Sequence, residues 1–343
     1  MKALVKTALG MGNVEIRDVA EPSAGEGQVV LEVAYTGICG TDLHIYLGEY
    51  NCAPPMTLGH EVVGTVVELG SGVQGFKIGD RVVPETYFHV CGHCPYCRSG
   101  RQNLCPERRS IGTHVNGGFA RYLVVPAHRL HRVPDNVPTQ SAAMTEPLAC
   151  CLRALLEMTT INPGDVVLIS GPGPIGLLCL QVAKAAGART VLCGVDGDEE
   201  RLNTGKRVGA DVLVNASQDS LPTILQEMTD GFGPDLCVEA AGAAPSLRQC
   251  MELVRRGGTI AQVGLYARPA EIDVNLIPMK ELSVIGSFAH VPWAWERGLD
   301  LMSRGAIQID PLVSSVTSIL NWRDKFDSLR QKRDCKVLLT PAN

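Results

Sequence analysis

Two textures of hydrophobic patterning divide the 343-residue chain. Up to about residue 140, short apolar and β-branched runs alternate with glycine turns. Val29–Tyr35, Val62–Leu69, Arg81–Val83 and Ala120–Val125 read as strands, separated by Gly70-Ser71-Gly72, Gly79-Asp80 and Gly117-Gly118. Many short strands between such turns predict a barrel-like β domain. From about residue 145, apolar strands alternate with helical periodicity: Val166–Ser170, Pro174–Ala186, Thr190–Val195 and Asp198–Val208. The series continues through Val212–Val214, Ser220–Met228, Asp235–Val238, Pro245–Arg255, Thr259–Val263 and Ser283–Ile285. Six short strands with helices between them predict a doubly wound parallel sheet. After residue 287 the alternation stops. One helical stretch, Trp295–Ser303, and one strand, Lys336–Thr340, remain, and both are expected to rejoin the first domain. The expectation is an α/β chain, with residues 1–144 and 288–343 in a discontinuous β domain and 145–287 in a dinucleotide-binding domain.

Composition narrows the classes. Apolar residues make up 45% and charged residues 20% of the chain, and the formal net charge is −5. That charge argues against a nucleic-acid or anionic-membrane partner, since both need a basic face. No apolar run approaches the roughly 20 residues of a membrane span. Met1-Lys2-Ala3-Leu4-Val5 runs straight into a strand pattern, without a secretory leader. Thirteen cysteines is a high count, and Cys150, Cys151, Cys179, Cys193 and Cys237 lie in apolar stretches. They read as small core residues in a reducing compartment, so a cytoplasmic location is expected.

Four other cysteines stand together as Cys91-x2-Cys94-x2-Cys97-x7-Cys105. That spacing lets one short lobe, residues 91–105, wrap a single ion, and an all-thiolate set selects zinc or iron–sulfur. Gly92, Pro95, Gly100 and Pro106 predict a lobe of turns with little regular helix. A closed site of this kind stabilises a fold but leaves no coordination position for chemistry.

Gly171-Pro172-Gly173-Pro174-Ile175-Gly176 follows a predicted strand and opens a predicted helix, the context that makes G-x-G-x-x-G a dinucleotide fingerprint. The first glycine permits the tight turn, the second admits the pyrophosphate, and the third lets helix pack on strand. Asp196 lies 20 residues beyond Gly176, where a carboxylate would bind the NAD 2′-hydroxyl. Gly194 precedes it, and the glycine could take the ribose position if the strand ends there. Asp198, Glu199 and Glu200 disfavour a 2′-phosphate, whereas Arg201 could reach one. NAD is the expected cofactor, with NADP the alternative.

An open metal site is the remaining requirement. Cys39 lies in Gly37-Ile38-Cys39-Gly40-Thr41-Asp42-Leu43-His44, and His60 and Glu61 lie in Gly59-His60-Glu61-Val62. Thiolate, imidazole and carboxylate are the ligand types of a catalytic zinc that keeps one position for water or substrate. Glu146, in Thr145-Glu146-Pro147-Leu148, supplies a carboxylate at the expected interdomain cleft, to bind the ion directly or exchange with water. Thr41 and His44, three apart on a predicted helix, could relay a proton to solvent.

Together these segments resemble the zinc-dependent medium-chain alcohol dehydrogenase superfamily over essentially the whole chain. Glu61 after His60, and Glu146-Pro147-Leu148, are most similar to the sorbitol, threonine and butanediol dehydrogenase branch. The resemblance implies a GroES-like catalytic domain with a Rossmann domain. It implies two zinc ions per chain, a catalytic one on Cys39, His60, Glu61 and Glu146 and a structural one on Cys91, Cys94, Cys97 and Cys105. It makes Thr41 and His44 the proton path, and sets Val263-Gly264-Leu265 and Ser287-Phe288 along the nicotinamide. It also implies a small-molecule alcohol or ketone substrate and a homotetramer or homodimer. Tyr35, Tyr46, Tyr50, His114, Arg121 and Phe288 are candidate pocket residues. Two rival readings are an aldehyde-acting zinc dehydrogenase or dismutase, for which the chain lacks a long insertion after the lobe, and a nucleotide-binding protein without catalysis, which would not need Cys39 and His60.

Overall fold

The computed structural model describes residues 1–342. The chain forms two compact units: Met1–Glu146 with His290–Ser303 and Val313–Asn343, and Pro147–Ala289 with Arg304–Leu312.

The first unit is built on a mixed sheet around the strand Gln28–Gly37. Its central register sets the site. Gly37 stands opposite Glu61 on the antiparallel strand Glu61–Leu69 and opposite Leu338 on the strand Lys336–Thr340. Three distant segments therefore meet at one sheet position. The inward faces of Val29, Leu31, Val33, Val62, Val66, Val82, Leu123 and Val125 form one core. Six of these eight are β-branched valines, which suit strands, and the intervening Val30, Val63 and Val83 are buried too, so these strands are covered on both faces. A second core joins Leu4, Ile38, Ile45 and Leu339 to Trp322 and Phe326.

One part of this unit departs from the sequence expectation. Beyond residue 287 there is also a strand, Val313–Ser318, and a helix, Trp322–Arg330. Val-Ser-Ser-Val-Thr-Ser is too polar to show as a core strand, and it is held by parallel pairing with Lys336–Thr340. The helix does carry a spacing signal, Trp322, Phe326 and Leu329, but over barely two turns. The cysteine lobe is made of turns with little regular helix, as expected: one helical turn, Pro95–Arg98, and one 3-10 turn, Gln102–Leu104. Cys94 caps the first of these, its sulfur accepting from the Cys97 amide, and Pro95 fills the first helical position, where no N–H is needed.

The second unit is a six-stranded parallel sheet. Its strands are Val166–Ser170, Arg189–Gly194, Val212–Asn215, Leu236–Glu239, Thr259–Gln262 and Ser283–Gly286. Numbered within this unit, their spatial order is 3-2-1-4-5-6. That is the doubly wound Rossmann order, in which a ligand sits beyond the carboxyl ends of the strands at the switch point. Strand residues Val166, Leu168, Val191, Val214 and Ile260 pack with Cys193 and Cys237, core residues as their apolar context suggested, and with Cys250.

Candidate functional site

The lobe cysteines are the clearest case for an ion. The ligand atoms of Cys91, Cys94, Cys97 and Cys105 all lie within 4.8 Å of one another. Cys91 Sγ is 3.9 Å from Cys97 Sγ and 3.6 Å from Cys105 Sγ. Four thiolates about 2.3 Å from one tetrahedral zinc stand about 3.8 Å apart, whereas a disulfide requires about 2.05 Å. Backbone amides of Cys91, Cys94 and Cys97 donate to lobe sulfurs at 3.4 Å each. Amide donation from Cys94 brings the Cys91 thiol down to about 6, while burial pushes Cys97 up to about 12. Such a set does not ionise together without a cation at its centre.

The second cluster is Cys39, His60 and Glu61, whose ligand atoms also lie within 4.8 Å of one another. Cys39 is the N-cap of the helix Gly40–Leu47. Asp42, at its third position, accepts from the Cys39 amide at 2.9 Å and so fixes the cysteine backbone. The other oxygen of Asp42 faces His60 Nδ1 at 3.8 Å. Both atoms are buried without a hydrogen bond. A carboxylate behind an imidazole is the arrangement that orients a metal-ligating histidine and raises its basicity. Burial alone would lower the pKa of His60, but the charges of Asp42 and then Cys39 outweigh it and hold it well above the usual value. This electronegative, buried donor set fits zinc.

Glu61 is anchored from behind. Lys336 is fully buried, meets the Glu61 carboxylate, and donates to the Ile38 carbonyl at 2.9 Å. Gly37 makes room for this pair, because a Cβ there would lie 1.9 Å from Glu61 Oε2. Glu146 is not part of the compact trio. Its Oε1 lies 4.0 Å from His290 Nε2. Thr41 and His44 lie one turn apart on the helix Gly40–Leu47. His44 Nδ1 meets Glu49 Oε2 at 2.8 Å, near the surface.

Of the further pocket candidates, Tyr46 packs edge-on against Trp322 and Phe326, each with centroids at 5.8 Å. Arg121 pairs with Glu32 at the surface, and His114 Nδ1 accepts from the Ser110 amide. These three have structural partners. Sequence reasoning missed Asp42, Lys336 and His290. Only Asp42 left a local signal, as a capping acid three residues after Cys39.

In the second unit the fingerprint glycines divide their roles in space. Gly171 has φ +106°, and a Cβ there would lie 2.7 Å from the Ala241 amide nitrogen. Gly176 packs so closely that a Cβ would lie 1.9 Å from Gly171 O. A Cβ on Gly173 would meet nothing within 4 Å, so that position opens onto free space. Gly173 caps the helix Pro174–Ala185 without a side chain, leaving its first amides for an anion. The second strand ends at Gly194, with Asp196 exposed beyond it. Asp196 Oδ1 accepts from Asn215 Nδ2 at 2.8 Å and Gln218 Nε2 at 2.9 Å, which lowers its pKa. Arg201 instead turns toward Asp198, at 3.8 Å. Val263 and Gly264 donate to the Glu239 carbonyl, and Ser287 donates to the Gln262 carbonyl. Segments 263–265 and 287–288 therefore follow the carboxyl ends of the fifth and sixth strands, with Leu265 and Phe288 exposed.

Residues 25–135 match the family described as Alcohol dehydrogenase GroES-like domain, and residues 174–304 match Zinc-binding dehydrogenase. The chain belongs to the zinc-dependent medium-chain alcohol dehydrogenase superfamily. It is 44% identical to a sorbitol dehydrogenase of Halalkalibacterium halodurans, with all of both chains covered. It is 40% identical to a D-arabitol-phosphate dehydrogenase of Enterococcus avium, covering 99% of this chain and 97% of that one. A crystal structure of the short chain alcohol dehydrogenase rspB from E. coli CFT073, complexed with NADH, is 32% identical, with a TM-score of 0.89 and 99% of each chain covered. This dehydrogenase accordingly combines a GroES-like domain with a Rossmann domain, uses zinc and a nicotinamide dinucleotide, and oxidises or reduces at an alcohol carbon.

Proposed function

We propose that this dehydrogenase reversibly oxidises a secondary alcohol of a polyol, sugar derivative or β-hydroxy amino acid to the ketone, with NAD as hydride acceptor. The observation that carries it is the compact set of Cys39, His60 and Glu61 ligand atoms, within 4.8 Å of one another. These residues would hold the catalytic zinc, with Glu146 as an exchangeable further ligand, and Cys91, Cys94, Cys97 and Cys105 would hold a structural zinc. When bound, the catalytic zinc polarises the alcohol oxygen and lowers its pKa. Asp42 keeps the His60 imidazole oriented. Thr41 accepts the alcohol's proton through its hydroxyl, and His44, paired with Glu49, hands it to solvent. The loop 171–176 holds the pyrophosphate and Asp196 the adenosine ribose. An exposed carboxylate held ionised by two amide donors favours a diol and repels a 2′-phosphate. Segments 263–265 and 287–288 border the nicotinamide. Sorbitol and arabitol phosphate, named for the relatives, belong to the polyol class.

The same reading makes residues 1–144 with 288–343 the catalytic domain and 145–287 the cofactor domain. It makes the protein a homodimer or homotetramer. The strand Ser283–Gly286 is an open sheet edge carrying exposed Val284, with exposed Met279 just before it. Such an edge is a template for pairing with a second copy. A cytoplasmic location suits the thirteen cysteines, none of which is in a disulfide among the described residues. No helix among those residues is long and apolar enough to cross a membrane.

The test is a panel of polyols, sugar acids and amino alcohols with NAD and NADP, followed at the absorbance of the reduced nicotinamide, alongside a zinc assay. Two zinc ions per chain and turnover of a polyol with NAD are expected. A single zinc per chain with no turnover would favour the non-catalytic reading. A higher kcat/KM with NADP would overturn the cofactor assignment.

A further inference from the structure

We propose that His290 is a positioning residue, a second seat whose Nε2–H receives the Glu146 carboxylate when it is away from Cys39, His60 and Glu61. The inference rests on the reading of Glu146 as an exchangeable metal ligand. An ion held by Cys39, His60, Glu61 and Glu146 together has its four positions filled. For an alcohol to enter, Glu146 must withdraw, and a buried carboxylate needs a donor wherever it goes.

The donor is defined by the surrounding atoms. His290 is 0% exposed. Its Nδ1 lies 2.9 Å from Trp295 Nε1. An indole nitrogen only donates, so Nδ1 carries the lone pair and the neutral ring carries its hydrogen on Nε2. That nitrogen lies 2.8 Å from Thr86 Oγ1, which can accept from it, and 4.0 Å from Glu146 Oε1. A small side-chain shift would bring the carboxylate into hydrogen-bond range, where it shares the single Nε2–H with Thr86 Oγ1 or takes it over.

The ring itself cannot follow. It stacks on Tyr87 with centroids 4.4 Å apart and meets Trp295 edge-on at 4.9 Å. The Tyr87 hydroxyl donates to the His290 carbonyl at 2.8 Å and pins the backbone. Trp295 is in turn stacked by His131 at 5.7 Å, and His131 Nε2 meets the buried Glu85 at 3.1 Å. A fixed donor beside a movable carboxylate is what a two-position ligand requires.

The test compares His290→Phe with His290→Gln, which keeps an N–H donor. Three readouts are followed: the dissociation constant of the catalytic-site zinc by chelator competition, the visible spectrum of the cobalt-substituted enzyme with and without alcohol, and kcat against KM. With phenylalanine the carboxylate loses its second seat and stays on the metal. Catalytic-site metal should be held about tenfold tighter, the worth of one charge-assisted hydrogen bond. The cobalt spectrum should stop responding to alcohol, and the KM for alcohol should rise by about the same factor. Glutamine should restore all three toward wild type. Trp295→Phe, which frees Nδ1 and unlocks the tautomer, should give an intermediate zinc constant and serves where His290→Phe does not fold. An unchanged zinc constant and spectrum in the variants that fold would overturn the inference. Glu146→Gln separates the two readings. If it leaves zinc affinity unchanged, Glu146 is not a ligand at all. If it weakens zinc binding while His290→Phe does nothing, only the His290 seat fails.

Discussion

Replacing Lys336 with methionine asks whether the ion pair behind the candidate metal centre holds this part of the barrel together. The side chains of Lys336 and Glu61 are 2% and 1% exposed. Methionine keeps most of the apolar stem and removes the charge, leaving Glu61 buried without its cation. Breaking a buried pair from one side costs about 3–5 kcal/mol, because a charge is stranded away from water. The change of side-chain shape alone costs under about 1.5 kcal/mol, so the electrostatic loss dominates. The assay is urea unfolding near neutral pH of protein stripped of catalytic-site zinc but keeping the lobe zinc, because an ion held by Glu61 would itself compensate the carboxylate. The double variant Lys336→Met with Glu61→Gln removes both charges and should recover most of the loss. The pH dependence has a definite sign. Burial alone would lower the pKa of Lys336, but the Glu61 carboxylate, and then Cys39, raise it above 10.5. A lysine whose pKa rises on folding contributes fully below its unfolded value and loses that contribution as pH climbs through the folded one. The gap between wild type and Lys336→Met should stay flat through the neutral range and close only in strong alkali. A single-variant loss below about 1 kcal/mol, far short of a stranded charge, or a gap that widens with rising pH, would refute the reasoning.

Three further outcomes are expected. Cys39→Ser should reduce zinc from two ions per chain to one and abolish turnover while leaving the far-ultraviolet circular dichroism unchanged; retention of both ions would remove Cys39 from the ligand set. Gly173→Ala and Gly176→Ala should separate binding from folding. The first meets open space and should keep its melting temperature while NADH affinity, measured by nicotinamide fluorescence, falls. The second drives a methyl to within 1.9 Å of Gly171 O and should lower the melting temperature itself. Asp196→Ser should raise kcat/KM with NADP relative to NAD if this exposed, ionised carboxylate meets the ribose as proposed; an unchanged ratio would place the ribose elsewhere.

What the sequence disclosed and what it concealed follow from the range of the interactions involved. The six-stranded sheet was legible because each strand is a short apolar run bounded by turn residues, and because strand and helix alternate locally. Its first strand, Val166–Ser170, and the final strand of the other unit, Lys336–Thr340, fall where the pattern put them. The strand Val313–Ser318 was not legible, since its place comes from a neighbour and four of its six side chains are polar. The same division runs through the site. Cys39, His60, Glu61 and the lobe cysteines are conspicuous by type and spacing, because metal chemistry admits few side chains. Their supports are ordinary residues made special by register. Lys336 reaches the Ile38 carbonyl across 298 positions of sequence, and only the pairing of Gly37 with both Glu61 and Leu338 brings it there. His290 meets Thr86 across 204 positions. A ligand set can therefore be read one residue at a time, but the groups that orient it can be read only after the strands are paired. Loss of a support should then change metal affinity, exchange and stability while every ligand remains in place.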